Sequence, residues 1–463
     1  MYFKQFYLGC LAHASYLIGS QGEAVVVDPQ RDVEQYITEA QEQGLRIKYI
    51  LETHLHADFV SGHRELAERT GADIVFGAEA HAEFPHIGVK DGDLLQVGAL
   101  QLAILATPGH TPEGVCVLIH DSEQPSNPAR LLTGDTLFIG DVGRPDLAGS
   151  KGFTAADMAG LLYDSLRYKI LSLPDDTEVY PAHGAGSMCG RKISKETSST
   201  LGEQKRTNYA LQSMSRNGFI DMMTAELPQA PGYFAADAEL NRKGASSLHT
   251  RPAPTVLNPE QVSEGLNNGM LLLDVRAGQD FAAGHIPGSI NIGLGGQFAS
   301  WAAVLLPLDQ AIVLIAEDAT AAEEASMRLA RVGMENIVGQ LEGGISSWMA
   351  KGKALVQTNQ LTADELQGML ATKALTALID VRKPGEFRSS HVDGAVGLDL
   401  SQLQARASEM LPDREAPLAV MCQGGYRSIA AVSLLERAGY RNLFNVVGGM
   451  GAWQSFQAAQ VPA

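Results

Sequence analysis

The sequence predicts a multi-domain chain of mixed α+β and α/β class, and three observations carry that expectation. Its 463 residues exceed what one core organises, and at roughly 100–200 residues per domain they make about three domains. The C-terminal half repeats itself at a constant spacing. The N-terminal half instead sets His and Asp residues directly behind short apolar runs of β character.

Composition sets the outer bounds. A hydrophobic content of 45% with 19% charged residues fits a chain that folds throughout. The formal net charge of -18 argues against nucleic acid or an anionic membrane surface as the main partner, because both would repel it. The opening MYFKQFYLGC lacks a basic stretch followed by a long apolar one, and no later run approaches the roughly 18 apolar residues of a membrane span, so a cytoplasmic enzyme is expected. Cys10, Cys116, Cys189 and Cys422 show no paired spacing, which fits a reducing compartment and thiol chemistry rather than disulfides. A homo-oligomer is expected.

In the N-terminal region the runs Tyr16 to Ile18, Ala24 to Val27, Leu100 to Thr107, Val115 to Ile119 and Leu131 to Thr133 predict strands. The strand-like Ile47 to Leu51 leads straight into Thr53-His54-Leu55-His56-Ala57-Asp58, which packs three potential metal ligands into one short loop. His110 in Thr107-Pro108-Gly109-His110-Thr111, Asp135 in Thr133-Gly134-Asp135, and His183 in Pro181-Ala182-His183-Gly184 each follow another such run. Strand-end loops aimed at one point are where metal sites are built. Residues Glu196 to Met214 predict a helix, and Asn217 to Leu248 carry no readable pattern.

The duplication lies further on. Asp274-Val275-Arg276 recurs as Asp380-Val381-Arg382, and Phe281, His285, Gly288, Arg331, Gly333 and Asn336 recur 106 positions later as Phe387, His391, Gly394, Arg437, Gly439 and Asn442. With one residue of slip, Gly343-Gly344 and Trp348 match Gly448-Gly449 and Trp453. Each copy alternates short apolar strands (Leu271 to Val275, Ile312 to Ala316; Ala377 to Val381, Leu418 to Cys422) with amphipathic helices such as Ala322 to Val332 and Ser428 to Ala438, the pattern of a parallel sheet. The boundaries follow as 1–245, a linker 246–256 rich in proline, 257–355 and 360–463.

The second copy carries Cys422-Gln423-Gly424-Gly425-Tyr426-Arg427 between a strand and a helix. Gly424 and Gly425 let the backbone curl into a ring of N–H donors at a helix N-terminus, which favours a thiolate or persulfide on Cys422, with Arg427 at hand for an anionic acceptor. The first copy reads Ala316-Glu317-Asp318-Ala319-Thr320-Ala321 at the same place: it has no nucleophile, and its acids would repel a sulfur anion. It is expected to be a silent spacer or docking domain.

The N-terminal ligand set resembles the metallo-β-lactamase fold, an αββα sandwich, over about residues 1–245. Two-metal hydrolases of that fold, such as glyoxalase II, carry a His directly after the motif's Asp; here the position is Phe59, which implies a single metal. His63 lies one helical turn beyond and is expected to be a structural surface residue. Within the fold the sequence is most similar to persulfide dioxygenases, whose mononuclear iron is held by two His and one Asp. The resemblance implies one Fe(II) per chain on His54, His110 and Asp135, with His56, Asp58 and His183 orienting ligands and substrate. It also places Arg144, in Gly140-Asp141-Val142-Gly143-Arg144-Pro145-Asp146, beside the site as a substrate-binding cation, or else in a pair with Asp146 or Asp141. Lys192, Lys195, Lys205 and Arg206 could rim a pocket for an anionic thiol carrier. Cys189 could reach the metal pocket as a sulfane acceptor, its thiolate favoured by Arg191 and Lys192, or simply close a loop.

The C-terminal copies resemble rhodanese domains, the second active through Cys422 and Arg427. The whole arrangement is similar to persulfide dioxygenase–rhodanese fusions of sulfide detoxification. That implies oxidation of a low-molecular-weight thiol persulfide by O₂ to sulfite, and transfer of sulfane sulfur through Cys422 to give thiosulfate. The rival reading is a glyoxalase II-like zinc thioester hydrolase fused to a sulfurtransferase; a third is a non-catalytic sulfur carrier or scaffold.

Overall fold

The computed structural model describes residues 1–147, 152–225, 227 and 229–460. The chain divides into two compact units, Met1–Arg251 with Ala330–Gly333, and Pro252–Leu329 with Met334–Ala463.

The first unit is built on two six-stranded mixed sheets. One runs in chain order through β1 (Tyr2–Leu8), β2 (His13–Ser20), β3 (Glu23–Val27), β4 (Arg46–Leu51), β5 (Asp73–Gly77) and β6 (Ile87–Val89). The other contains β7 (Leu94–Val97), β8 (Leu100–Ala106), β9 (Val115–Asp121), β10 (Arg130–Gly134), β11 (Glu178–Pro181) and β12 (Ser199–Thr200), in the order β12-β11-β10-β9-β8-β7. Side chains alternate along each strand, so Val25 and Val27 enter the core between the sheets with Tyr16, Leu102 and Val117. Their neighbour Val26 faces the other way, onto the helices Glu34–Glu42 and His63–Thr70 together with Leu17 and Tyr36. Cys116 and Leu131 likewise face the helices Ala155–Ser165 and Arg216–Thr224. Burial on both faces explains the unbroken apolar runs, and each fully buried Val or Leu stabilises the fold by about 1.5–3 kcal/mol.

The expected helix over 196–214 is shorter. It forms as Leu201–Thr207, capped by the Thr200 side chain, and stops where Asn208 turns extended and caps a single further turn, Tyr209–Leu211. The unreadable 217–248 segment yields the end of Arg216–Thr224 and the helix Phe234–Lys243.

The second unit holds two parallel five-stranded sheets of identical order. The first comprises β13 (Thr255–Leu257), β14 (Leu271–Asp274), β15 (Ile290–Asn291), β16 (Ile312–Ile315) and β17 (Ile337–Leu341), ordered β13-β17-β16-β14-β15. The second repeats it with β18 (Asn359–Leu361), β19 (Ala377–Asp380), β20 (Val396–Gly397), β21 (Leu418–Met421) and β22 (Leu443–Val446). The helix Tyr426–Arg437 lays one face against the first copy. Tyr426 Oη donates to Gly293 O (2.8 Å), Ile429 packs on Phe281 and Ala282, Ser433 Oγ accepts from Asn291 N (3.1 Å), and Glu436 meets His285 Nε2 (3.1 Å). Residues spaced by three or four share a helix face. The first copy therefore braces the helix that follows Cys422.

No helix among the described residues is long and apolar enough to cross a membrane.

Candidate functional site

Strands β8, β10 and β11 run in one direction, because β9 is antiparallel to both β8 and β10 while β11 is parallel to β10. Their C-terminal ends share one sheet edge, which brings His110, Asp135 and His183 together, and the loop after β4 adds His54, His56 and Asp58. His54, His110 and Asp135 are buried and present ligand atoms within 4.8 Å of one another. Asp135 Oδ2 lies 3.7 Å from His54 Nε2 and 3.3 Å from His110 Nε2.

The tautomers are held from behind. Thr53 Oγ1 donates to Asp28 Oδ2 (2.9 Å) and so accepts from His54 Nδ1 (2.9 Å), while His110 Nδ1 donates to Arg144 O (2.9 Å). Both Nε2 lone pairs are thereby left for a metal. His54 Nε2 and Asp135 Oδ2 are buried without a hydrogen-bond partner, the condition of atoms that a cation would satisfy. Burial, then the neighbouring His56, holds His54 well below the ordinary imidazole pKa. Burial would raise Asp135, but the surrounding imidazoles, His183 and His54 foremost, hold it well below the carboxylate range. Two neutral nitrogens and one carboxylate oxygen fit a divalent metal.

Close approach fixes the glycines here. Gly134 has φ +50°, and a Cβ on it would come 2.6 Å from Thr53 Oγ1; one on Gly143 would come 2.1 Å from Asp135 O.

His183 bridges the remaining acids, with Nδ1 2.7 Å from Asp135 Oδ1 and Nε2 2.9 Å from Asp58 Oδ2. Burial lowers its pKa, but the two carboxylates overcome that and raise it to about 10. His56 turns Nε2 toward Asp28 Oδ1 (3.2 Å) and Glu52 Oε2 (3.3 Å) and packs its ring 4.1 Å from that of His54. His63 is not on the surface. It is fully buried, and its Nδ1 meets Glu52 Oε1 (3.1 Å), which also accepts from Ser61 Oγ.

Four contributors escaped the sequence reading. Asp28, held at φ +50°, also accepts from Thr53 N (2.7 Å). Glu52 was hidden as the last residue before the ligand motif. His13 lies fully buried with its ring 4.1 Å from that of Phe59. Asn241, from the unreadable segment, donates to His56 O and Phe59 O (both 2.8 Å) and accepts from Ser61 N (2.8 Å).

Several expected substrate groups are committed elsewhere. The Arg144 guanidinium forms two bonds to Asp146 (2.7 and 2.6 Å) and one to Met188 O, the contacts of the pairing alternative. Lys205 is paired with Asp175 and Arg206 with Glu203. Cys189 does lie with Asp58 and His183, three ligand-type groups within 4.8 Å. Its thiolate is not favoured, however. Burial, then Asp58 and Asp135, pushes the thiol well above its ordinary pKa, and the Arg191 guanidinium is spent on the carbonyls of Met222, Met223 and Ala225.

In the second unit Cys422 sits between β21 and the helix Tyr426–Arg437, and Gly425 N–H donates to its Sγ at 3.1 Å. Gly425 caps the helix at φ +104°, whereas a Cβ on Gly424 would meet nothing within 4 Å. Ser428 Oγ lies 3.6 Å from Sγ and is anchored on Asn445 Oδ1 (2.6 Å). Gly448-Gly449 is a clearance device, since a Cβ on Gly449 would sit 2.2 Å from Cys422 O.

Arg427 is not free for an acceptor. Its Nη1 and Nη2 bind Glu386 Oε2 (2.7 Å) and Oε1 (2.8 Å). Arg382 is held more firmly by Asp380, a pair with side chains 2% and 0% exposed against 15% and 34% for Arg427 and Glu386. Breaking the buried pair costs roughly 3–5 kcal/mol, while a partly exposed one such as Arg427 with Glu386 is worth about 1 kcal/mol. In the first copy the corresponding loop has Ala316 in place of the nucleophile, and Asp318 Oδ1 accepts from Ala321 N (2.8 Å). The first copy fills its own helix N-terminus with a carboxylate.

Fold and site define a metal-binding sandwich domain followed by a paired sulfurtransferase module. The chain belongs to the metallo-β-lactamase superfamily, which it matches over residues 8–183, and carries rhodanese-like domains at 258–351 and 362–456. A metallo-β-lactamase from Staphylococcus aureus is 35% identical with a TM-score of 0.66, covering 74% of this chain and 98% of that one. A hydroxyacylglutathione hydrolase of Polaromonas is 35% identical over 174 residues, 36% of this chain, which spans 61% of that relative's length. A mitochondrial persulfide dioxygenase of Bos taurus is 33% identical over 215 residues, 45% of this chain and 75% of the relative.

Proposed function

We propose that the chain oxidises a low-molecular-weight thiol persulfide with O₂ to sulfite at one non-haem iron held by His54, His110 and Asp135, and passes sulfane sulfur through a Cys422 persulfide to sulfite, releasing thiosulfate. The observation that carries this reading is the donor set of two imidazole nitrogens and one carboxylate oxygen. Phe59 takes an imidazole from any second site, which leaves that site Asp58, His183 and a Cys189 thiol pushed toward its neutral form. A ferrous ion held there by His54, His110 and Asp135 would supply redox chemistry toward O₂. The chain's own residues do the rest. Thr53 and the Arg144 carbonyl orient the two imidazoles, His183 fixes Asp135, and the rings of Phe59, His13 and His56 fill the neighbouring space against water. At the other centre Gly425 N–H supports negative charge on the Cys422 sulfur.

The likeness to persulfide dioxygenases supports the first half, and the rhodanese match supports the second. The likeness to hydroxyacylglutathione hydrolase favours a second reading, a zinc thioester hydrolase. Protein purified without oxygen decides between them. One iron per chain, with O₂ uptake on adding glutathione persulfide, supports the oxidation. Two zinc ions with thioester hydrolysis and no O₂ uptake would overturn it.

A further inference from the structure

The cation that the transfer loop offers an anionic acceptor already holds an anion of the protein's own. We propose that Glu386 is a built-in competitor at the acceptor site of Cys422: its carboxylate occupies Arg427 until a sulfur oxyanion displaces it, and so sets the affinity for that acceptor. The proposal rests on the reading that sulfite takes the sulfane sulfur.

Arg427 lies five residues past Cys422 and within electrostatic reach of it. Both of its terminal nitrogens are taken up by Glu386, a planar match to a carboxylate that an oxyanion of sulfur can reproduce. The other arginine at the loop cannot serve. Arg382 spends Nε and Nη2 on Asp380, Nη2 also on Ser390 O, and Nη1 on Gln423 Oε1. Its partner is fully buried and would be stranded by release, whereas Glu386 is 34% exposed and can turn into water.

The pairing also exists only where the chemistry does. At the offset of 106 the silent copy keeps an acid, Asp280, opposite Glu386, but has Ala321 opposite Arg427. Glu386 has a second duty: its Oε2 accepts from Lys383 N (3.1 Å) at the start of the helix Pro384–Ser389. Glutamine performs that capping duty equally well, so Glu386→Gln removes the charge without removing the cap.

The step in question is balanced without an oxidant. The sulfite sulfur attacks the outer sulfur of the Cys422 persulfide, the Cys422 S–S bond breaks, and a new S–S bond forms in thiosulfate. Cys422 leaves as the thiolate, so the total charge of minus three is unchanged. Two anions meet in this step, so a free guanidinium matters to binding of the dianionic sulfite more than to dithiothreitol, which arrives mostly neutral and loses a thiol proton as it attacks.

The test uses the full chain with Cys422 pre-loaded with sulfane sulfur from thiosulfate and the donor removed. Discharge is then followed by intact-protein mass spectrometry against increasing sulfite or dithiothreitol. Glu386→Gln is expected to lower the half-saturating sulfite concentration about fivefold, the factor equivalent to freeing one exposed ion pair, with discharge by dithiothreitol unchanged. Glu386→Asp, too short to hold both nitrogens, should fall between. Equal half-saturation by sulfite in all three proteins would overturn the proposal, as would equal slowing of both acceptors in Glu386→Gln, which marks a purely structural role. Discharge of the wild type by dithiothreitol but never by sulfite would instead overturn the thiosulfate reading itself.

Discussion

His183 stands 2.7 Å from Asp135 between Nδ1 and Oδ1, and that contact leaves Asp135 Oδ2 facing His54 and His110. Asp135→Asn keeps the shape and removes the charge. It should abolish metal binding and O₂ uptake and destabilise the domain by roughly 3–5 kcal/mol, because the imidazolium loses a buried counter-charge. Elemental analysis and denaturant midpoints check both, and full metal occupancy in the variant would contradict the assignment.

Asn241 should matter to a metal it never touches. Asn241→Ala strips two donors and one acceptor from the backbone of the ligand loop, leaving buried groups unpaired at about 1–3 kcal/mol each in the worst case. Metal affinity is expected to fall about tenfold, as for other outer partners of a metal site. Competition with a chelator measures it, and wild-type affinity would rule the clamp out.

Cys422→Ser should separate the two chemistries. O₂ uptake persists and the product shifts from thiosulfate to sulfite. An unchanged thiosulfate yield, where sulfite and persulfide do not react unaided, would refute the role of Cys422.

Two glycines in the second rhodanese-like copy should behave oppositely. Gly449→Ala puts a Cβ 2.2 Å from Cys422 O at φ +54°, and should cost about 1–3 kcal/mol together with most sulfur loading. Gly424→Ala meets open space and should keep both. Thermal midpoints and loading stoichiometry compare them, and equal behaviour would contradict the clearance argument.

Glu386 also makes a pH statement. Its hydrogen bond to Arg427 holds the carboxyl below its ordinary value of 4.5, so the pair's stabilisation is present above that value and lost as pH falls through the folded one. The wild type should therefore exceed Glu386→Gln by no more than about 1 kcal/mol at neutral pH, discounted for exposure, with the gap closing in acid. Denaturant curves at the two pH values test the sign.

The architecture was legible because its strands are buried on both faces and its second half is duplicated, and both features leave long-range regularities in the chain. The candidates His54, His110 and Asp135 were legible as strand-end residues for a related reason, since their end of the sheet follows from topology. Their choice from among six such His and Asp residues came from the family resemblance. Asp28, Glu52 and Asn241 were not legible. Each is a single polar residue whose partners lie 25 to 28, 4 to 11, or about 180 positions away and not on one helix with it, so no local period announces such a bond. Arg427 was read as free because its partner belongs to another motif, 41 residues upstream. Cys189 could, from the sequence, either reach the metal pocket or close a loop; the fold sets it with Asp58 and His183, and its charge state follows from burial, which the adjacent Arg191 and Lys192 do not reveal.

The clamp by Asn241 has a consequence in time. Ribosomes add roughly 5–20 residues per second, N-terminus first, so His54, His110 and Asp135 all leave the tunnel well before residue 241 does. Until then the loop from His56 to Ser61 lacks the side chain that ties its carbonyls down. Firm metal capture at these residues is thus expected late in the birth of this domain. A ribosome stalled short of the helix Phe234–Lys243 would display every ligand and hold the ion loosely.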